Sequence, residues 1–177
     1  SGFSPFFPST KKETLLAELT DFFHTDTTEI DKYWDTYQQS VQIHDYQKQY
    51  GGDWEHKHLS TAEAFIIFSL LRRFSPSINS IIEIGTQYGM STRRIIDILH
   101  TLQLTTPITA YDIEDQVRYF SSKEAKIIIH DLTGTTTETV LKKNPPGLIY
   151  LDAHPYALLH DVIESVINDG RWILCIH

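Results

Sequence analysis

The chain has 177 residues, with 15 Lys and Arg against 23 Asp and Glu and a net charge of −8. With 41% hydrophobic and 21% charged residues it reads as a folded globular protein, one domain with at most a small appendage. The acidic balance argues against a nucleic-acid partner, and no apolar run reaches the roughly 18–20 residues that cross a bilayer. One cysteine, Cys175, excludes an intramolecular disulfide and a cysteine zinc site. The N-terminus, SGFSPFFPST, lacks the basic start and continuous apolar stretch of a signal peptide. The expectation is a cytoplasmic domain acting on something small.

Up to Ser75-Pro76-Ser77 the pattern is helical. Thr10 and Glu13 have capping-box spacing, and Leu15, Leu16, Leu19, Phe22 and Phe23 follow on one helical face. A second helix is expected from about Glu29 to Tyr50, with Ile30, Tyr33, Trp34, Tyr37, Val41 and His44 at helical intervals and Gly51-Gly52 breaking it. Tyr33, Trp34 and Tyr37 read as core packing, or as a lid over an apolar ligand. Ser60 and Glu63 repeat the capping-box signal before the apolar stretch Ala64–Phe74, which Pro76 ends. His56 and His58, in the polar GGDWEHKHLS stretch, read as surface residues.

From Ile81 the period changes to short β-branched runs at Ile81–Ile84, Ile108–Asp112, Lys126–His130, Gly147–Leu151 and Trp172–Ile176. Helices are expected between them at Ser91–Leu102, roughly Glu114–Ser121, Thr135–Lys142 and Pro155–Asp169. Near-continuous apolar strands separated by helices indicate a parallel sheet covered on both faces, hence a doubly wound α/β fold with its ligand at the carboxyl ends of the strands. Arg93-Arg94 and Lys142-Lys143 read as solvated helix positions.

A polar group follows each apolar run. The first ends in Glu83-Ile84-Gly85, the second in Asp112, the third leads to Asp131, the fourth to Asp152-Ala153-His154, and the fifth to His177. The sharpest stretch is IIEIGTQYGMSTRRII, residues 81–96. Gly85 and Gly89 permit a tight strand-to-helix turn and close approach to a ligand, and the helix starting near Ser91 offers free N–H groups. The spacing is G-x-x-x-G, neither the dinucleotide fingerprint nor a P-loop. A carboxylate inside an apolar strand, Glu83, is costly unless hydrogen-bonded or paired. A hydrolase reading is disfavoured because no G-x-S-x-G elbow occurs, and no two-His-one-carboxylate set is spaced for a metal-dependent oxygenase.

The E-x-G-x-x-x-G-x-S-T order of residues 83–92 resembles motif I of the class I S-adenosylmethionine-dependent methyltransferases. It is most similar to the small-molecule O-methyltransferase branch that includes cephalosporin hydroxylase and macrocin methyltransferase relatives. The resemblance covers roughly residues 78–177, with Asp112, Asp131, the Asp152-x-His154-x-Tyr156 stretch and the run Asn168–Trp172, where relatives usually have Gly-Gly. It implies a Rossmann-like domain over 76–177 that binds S-adenosylmethionine, preceded by an N-terminal helical cap over 1–75. Relatives usually carry two further strands, so the expected domain is truncated after strand five.

The resemblance also implies roles. Gly85 and Gly89 would line the methionine part of the cofactor, Glu83 would orient the loop near its amino group, and Thr86 and Ser91 would also bind the cofactor. Asp112 would bind its ribose, and Asp131 would meet its adenine amino group with Leu132 beside the base. Asp152 and His154 would stand at the acceptor, a small molecule. His154 can act as general base, or Asp152 can hold a Mg2+ ion that lowers the acceptor's pKa. One carboxylate does not complete a magnesium site, so the metal set stays open. The competing expectation is a non-catalytic methyltransferase-like module that binds a ligand or partner and transfers nothing.

Overall fold

The computed structural model describes residues 12–40, 46–50, 60–133, 136–152 and 156–177. Among these residues four helices come first: α1 (Lys12–Phe22), α2 (Thr27–Ser40), α3 (Tyr46–Tyr50) and α4 (Thr61–Phe74). The alternating part follows as β1 (Ile81–Ile84), α5 (Met90–Thr101), β2 (Ile108–Asp112), β3 (Lys126–Ile129), α6 (Thr136–Lys143), β4 (Leu148–Leu151), α7 (Tyr156–Asp169) and β5 (Ile173–Ile176).

The helices form where apolar spacing allows a buried stripe. Leu15, Leu16 and Leu19 are buried on α1, and Ile30, Tyr33 and Tyr37 on α2. The face expected on α1 ends sooner, for Phe22 is 55% exposed while Phe23, just past the helix, is buried. Tyr37 is fully buried and packs on Trp34, Phe65 and Phe68, so this aromatic group is core and not a lid. The single helix expected over 29–50 is described as α2 and α3, while Val41, His44 and the glycine pair lie outside the described residues, as do Thr10, His56 and His58.

The Ser60–Glu63 capping box forms with both hydrogen bonds, Glu63 N to Ser60 Oγ at 3.2 Å and Ser60 N to Glu63 Oε2 at 3.0 Å. It starts a helix that is apolar nearly all round, with Ala64 through Leu71 buried without a break. Such a helix needs cover on several sides. α4 has it from α2 on one flank and from α5 and the sheet on the other.

All five strands are parallel, in the order β3-β2-β1-β4-β5. Alternation along each strand sends side chains to two cores. Ile81, Ile108, Ala110, Leu148 and Tyr150 join α1, α2, α4 and α5 on one face. Ile82, Ile84, Tyr111, Ile149 and Leu151 join α6 and α7 on the other. The central strands β1 and β4 are buried throughout, each fully buried isoleucine contributing roughly 1.5–3 kcal/mol. The fold is therefore a doubly wound, Rossmann-like α/β sheet, as the alternating pattern implied.

Two further expectations fail. No helix forms over Glu114–Ser121. The Arg118 and Tyr119 amides instead donate to the Tyr88 carbonyl at 2.9 and 3.3 Å, and the i, i+3 pair Val117 and Phe120 packs a loop against the first core. Arg93 and Arg94, expected in solvent, are buried on α5. Arg93 pairs with Asp97 at 2.9 Å and Glu124 at 2.6 Å, and Arg94 donates to Tyr37 Oη at 2.8 Å. The helices packed over α5 leave that face no solvent. Lys142 is exposed as expected and pairs with Glu138 on the same helix.

Candidate functional site

From β1 the chain steps outward through β2 to β3, then returns to place β4 on the other side of β1. The strand order thus reverses between β1 and β4, and in such sheets ligands usually bind outside the carboxyl ends at that point. The loop 85–89, Asp152, Asp112 and His177 are all found along that edge.

Glu83 is fully buried in β1, and its two carboxylate oxygens accept hydrogen bonds from the Ser91 and Thr92 hydroxyls. Thr92 in turn meets Thr86, Oγ1 to Oγ1, at 2.7 Å. One buried carboxylate thus ties the strand to the first turn of α5 and to the loop between them. Burial, aided by the charges of Asp152 and Asp112 and opposed by the two hydroxyls, pushes Glu83 up to about 7. It changes protonation near neutrality.

The loop above this brace is shaped by its backbone. Gly85 N donates to Tyr111 O at 2.9 Å and Gly89 N to Thr86 O at 2.8 Å. Both glycines have φ of +88°, and Gly89 is the N-cap of α5 without any side-chain cap. A Cβ at Gly89 would lie 2.6 Å from the Phe120 ring, so this position needs glycine for space as well as for conformation. The first N–H groups of α5 consequently have no side-chain cap from the N-cap residue.

Asp112 ends β2. Its Oδ2 accepts the Gln87 amide at 2.7 Å, and its Oδ1 accepts the Ile113 amide at 2.7 Å. Gln87 sits at φ +50°, a conformation this bond helps to hold. A carboxylate has about four acceptor positions, so Asp112 keeps capacity for a ligand while bracing the loop.

The other expected residues are spread along the edge. Asp131, exposed and two residues past β3, accepts both the amide and the hydroxyl of Thr133 on Oδ1, and these bonds hold its carboxyl below the usual range. Leu132 is buried in the second core. Asp152 is exposed directly after β4, with its amide bonded to Ile84 O at 3.0 Å. Glu83, Gly85, Thr86, Gly89, Ser91 and Asp112 are joined in one bonded cluster around β1, whereas Asp131 is anchored in its own turn. His154 lies outside the described residues.

Sequence reasoning missed Glu63. Its Oε1 lies 2.5 Å from His177 Nδ1, so the start of α4 reaches the end of β5. Glu63 was legible as half of a capping box, but no spacing rule links it to His177. Gln87 and Tyr88 were likewise passed over within the loop, although their backbone groups hold it to Asp112 and to the segment after β2.

Among the described residues, no group of three ligating side chains gathers around Asp152; the one such group is His160, Asp161 and Glu164 on the outer side of α7. A groove of about 310 Å³ runs along the same helix, lined by Tyr156, Leu159, Ile163 and Ile167 among others, and includes none of the strand-end carboxylates. Comparisons with protein-family models, with curated proteins and with solved structures find no match. The chain is thus a Rossmann-like α/β protein with a braced, glycine-flanked loop and several carboxylates at the carboxyl edge of its sheet. Among the described residues, no helix is long and apolar enough to cross a membrane.

Proposed function

We propose that this chain is an S-adenosylmethionine-dependent methyltransferase that methylates a hydroxyl of a small molecule. The observation that carries this reading is the unit built from Glu83, Ser91, Thr92 and the loop Gly85–Gly89, which presents the uncapped start of α5 at the switch point of the sheet.

The residues present fit such a cofactor. The α5 amides suit its carboxylate. Asp112, with unused acceptor positions, suits ribose hydroxyls, and the carboxylates Asp112 and Asp152 favour a cationic ligand. When bound, the cofactor supplies a methyl group on a positively charged sulfur. The protein's part is to hold the acceptor in line, exclude water and remove the hydroxyl proton. Asp152, exposed after β4, and His154 are the residues placed by sequence for the acceptor side. Magnesium remains a secondary proposal, since Asp152 is the one ligand named for it.

A second reading keeps the ligand and drops the reaction. It is favoured by the fact that Glu83 and Asp112 bond the protein's own loop and Asp131 its own turn, which a binding scaffold also requires.

Calorimetry with S-adenosylhomocysteine tests the shared premise. Binding with about equal stoichiometry is expected, and no heat at millimolar ligand would sink both readings. Transfer of a labelled methyl group to a panel of small hydroxylated acceptors then separates catalyst from scaffold.

A further inference from the structure

Glu63 serves two partners at once. Its Oε2 closes the capping box of α4 by accepting the Ser60 amide at 3.0 Å, while its Oε1 is 2.5 Å from His177 Nδ1. Capping needs only the first of these. His177 follows β5 and is fixed by its amide, which donates to Leu151 O at 3.0 Å. Since Leu151 and Ile176 are register partners, the next residues, Asp152 and His177, emerge side by side from the carboxyl edge. The His177 side chain is 47% exposed, so its ring is open to solvent at that edge.

We propose that Glu63 is a positioning residue that holds His177 with its proton on Nδ1, leaving Nε2 as the proton-accepting atom on the acceptor side of the site. The second half of this assignment rests on the methyl-transfer reading. In the step, the acceptor O–H bond breaks, an N–H bond forms at Nε2, and the electron pair stays on the acceptor oxygen. The resulting imidazolium is balanced by the Glu63 carboxylate and later gives its proton to water. The carboxylate acts through the ring, as the orienting member of a triad does.

The surroundings suit this role. Burial works against a charged ring, but the Glu63 hydrogen bond and charge, with Asp152, outweigh it and hold His177 above its ordinary value. Two described groups in the field of Glu63 stay neutral: burial pushes the Cys175 thiol up to about 12 and raises the Tyr150 hydroxyl as well. Among the described residues, Glu63 from α4 and Asp152 from the end of β4 are the charges that raise His177.

Glu63→Gln is the discriminating variant, because glutamine also serves the capping box while removing the charge beside the ring. Ring-nitrogen NMR of the full chain should find neutral His177 protonated on Nδ1. In Glu63→Gln the Nε2-protonated form should grow and the titration midpoint should move down. Ser60→Ala, which removes the cap alone, should lower stability and leave the ring unchanged. An Nε2-protonated wild-type ring, an unmoved midpoint in Glu63→Gln, or the same shift in Ser60→Ala would overturn the positioning role. Adding S-adenosylhomocysteine should shift the His177 ring signals without changing the tautomer. Binding that leaves those signals unmoved would put His177 away from the acceptor side and overturn the second half. Failure to bind at all would remove the methyl-transfer reading and that half with it, while the tautomer result still decides the role of Glu63.

Discussion

Asp112 Oδ2 accepts the backbone amide of Gln87 at 2.7 Å, joining the end of β2 to the loop after β1. That bond makes one carboxylate both part of the ligand edge and the support of the loop beside it. Asp112→Ala should therefore cost about 1.5–3 kcal/mol of stability, the usual range for a hydrogen bond to a charged group. It should weaken S-adenosylhomocysteine binding as well. Urea unfolding and calorimetry on the same variant check the two effects. Lost stability with unchanged affinity would move the ribose contact elsewhere.

Glu83 gives a pH signature. Its folded value of about 7 lies above the ordinary 4.5, so between these limits the native state binds more protons than the unfolded chain. Stability then falls as pH rises from 4.5 to about 7, and the protonation-linked advantage is gone above that. Glu83→Gln keeps an acceptor for one of the two hydroxyls and removes the titration. Thermal unfolding followed from pH 4 to 8 should show a downward slope in the wild type that is flattened in the variant.

Gly89 combines φ of +88° with a Cβ position 2.6 Å from the Phe120 ring. Gly89→Ala meets a left-handed penalty of roughly 1–2 kcal/mol before any displacement of that ring is counted. The expected loss is about 2–3 kcal/mol. Pairing the change with Phe120→Ala should remove the clash and leave the backbone penalty, so the double variant should lose less than the sum of the singles. Denaturant melts of the four-member cycle decide this, and strict additivity would mean that the ring does not constrain the loop.

Arg93 links Asp97 at 2.9 Å and Glu124 at 2.6 Å, and Asp97 also accepts the Tyr46 hydroxyl at 2.7 Å. Arg93→Ala would leave the largely buried Asp97 with only that hydroxyl among these partners. A loss of about 2–4 kcal/mol is expected, near the cost of breaking a buried ion pair. A loss below about 0.5 kcal/mol, the range of ordinary surface substitutions, would restore the solvated reading of this arginine.

The parallel sheet was legible in the chain because each strand is a short, almost purely apolar run. Ile81–Ile84 and Leu148–Leu151 are buried on both faces, and apart from Glu83 and Tyr150 they carry only aliphatic side chains. The Ser60–Glu63 box was legible because its two bonds are local. The loop Gly85–Gly89 could be placed for the same reason, since strand, glycine and helix start follow one another in sequence. Local geometry carries its own signal.

What spacing alone could not decide depended on distant neighbours. Val117 and Phe120 have the interval of a helix, yet the Tyr88 carbonyl takes the amides of Arg118 and Tyr119 and no helix forms. Arg93 and Arg94 read as solvated charge until packing of α5 against the helices above it enclosed them. Glu63 and His177, 114 residues apart, meet only because α4 lies on the sheet with its first turn at the carboxyl edge. The net charge of −8 was plain from composition, but its arrangement was not. Tertiary structure brought Glu83, Asp112 and Asp152 close enough for their charges to act on one another. Electrostatic energy depends on distance and burial, and a linear sequence specifies neither.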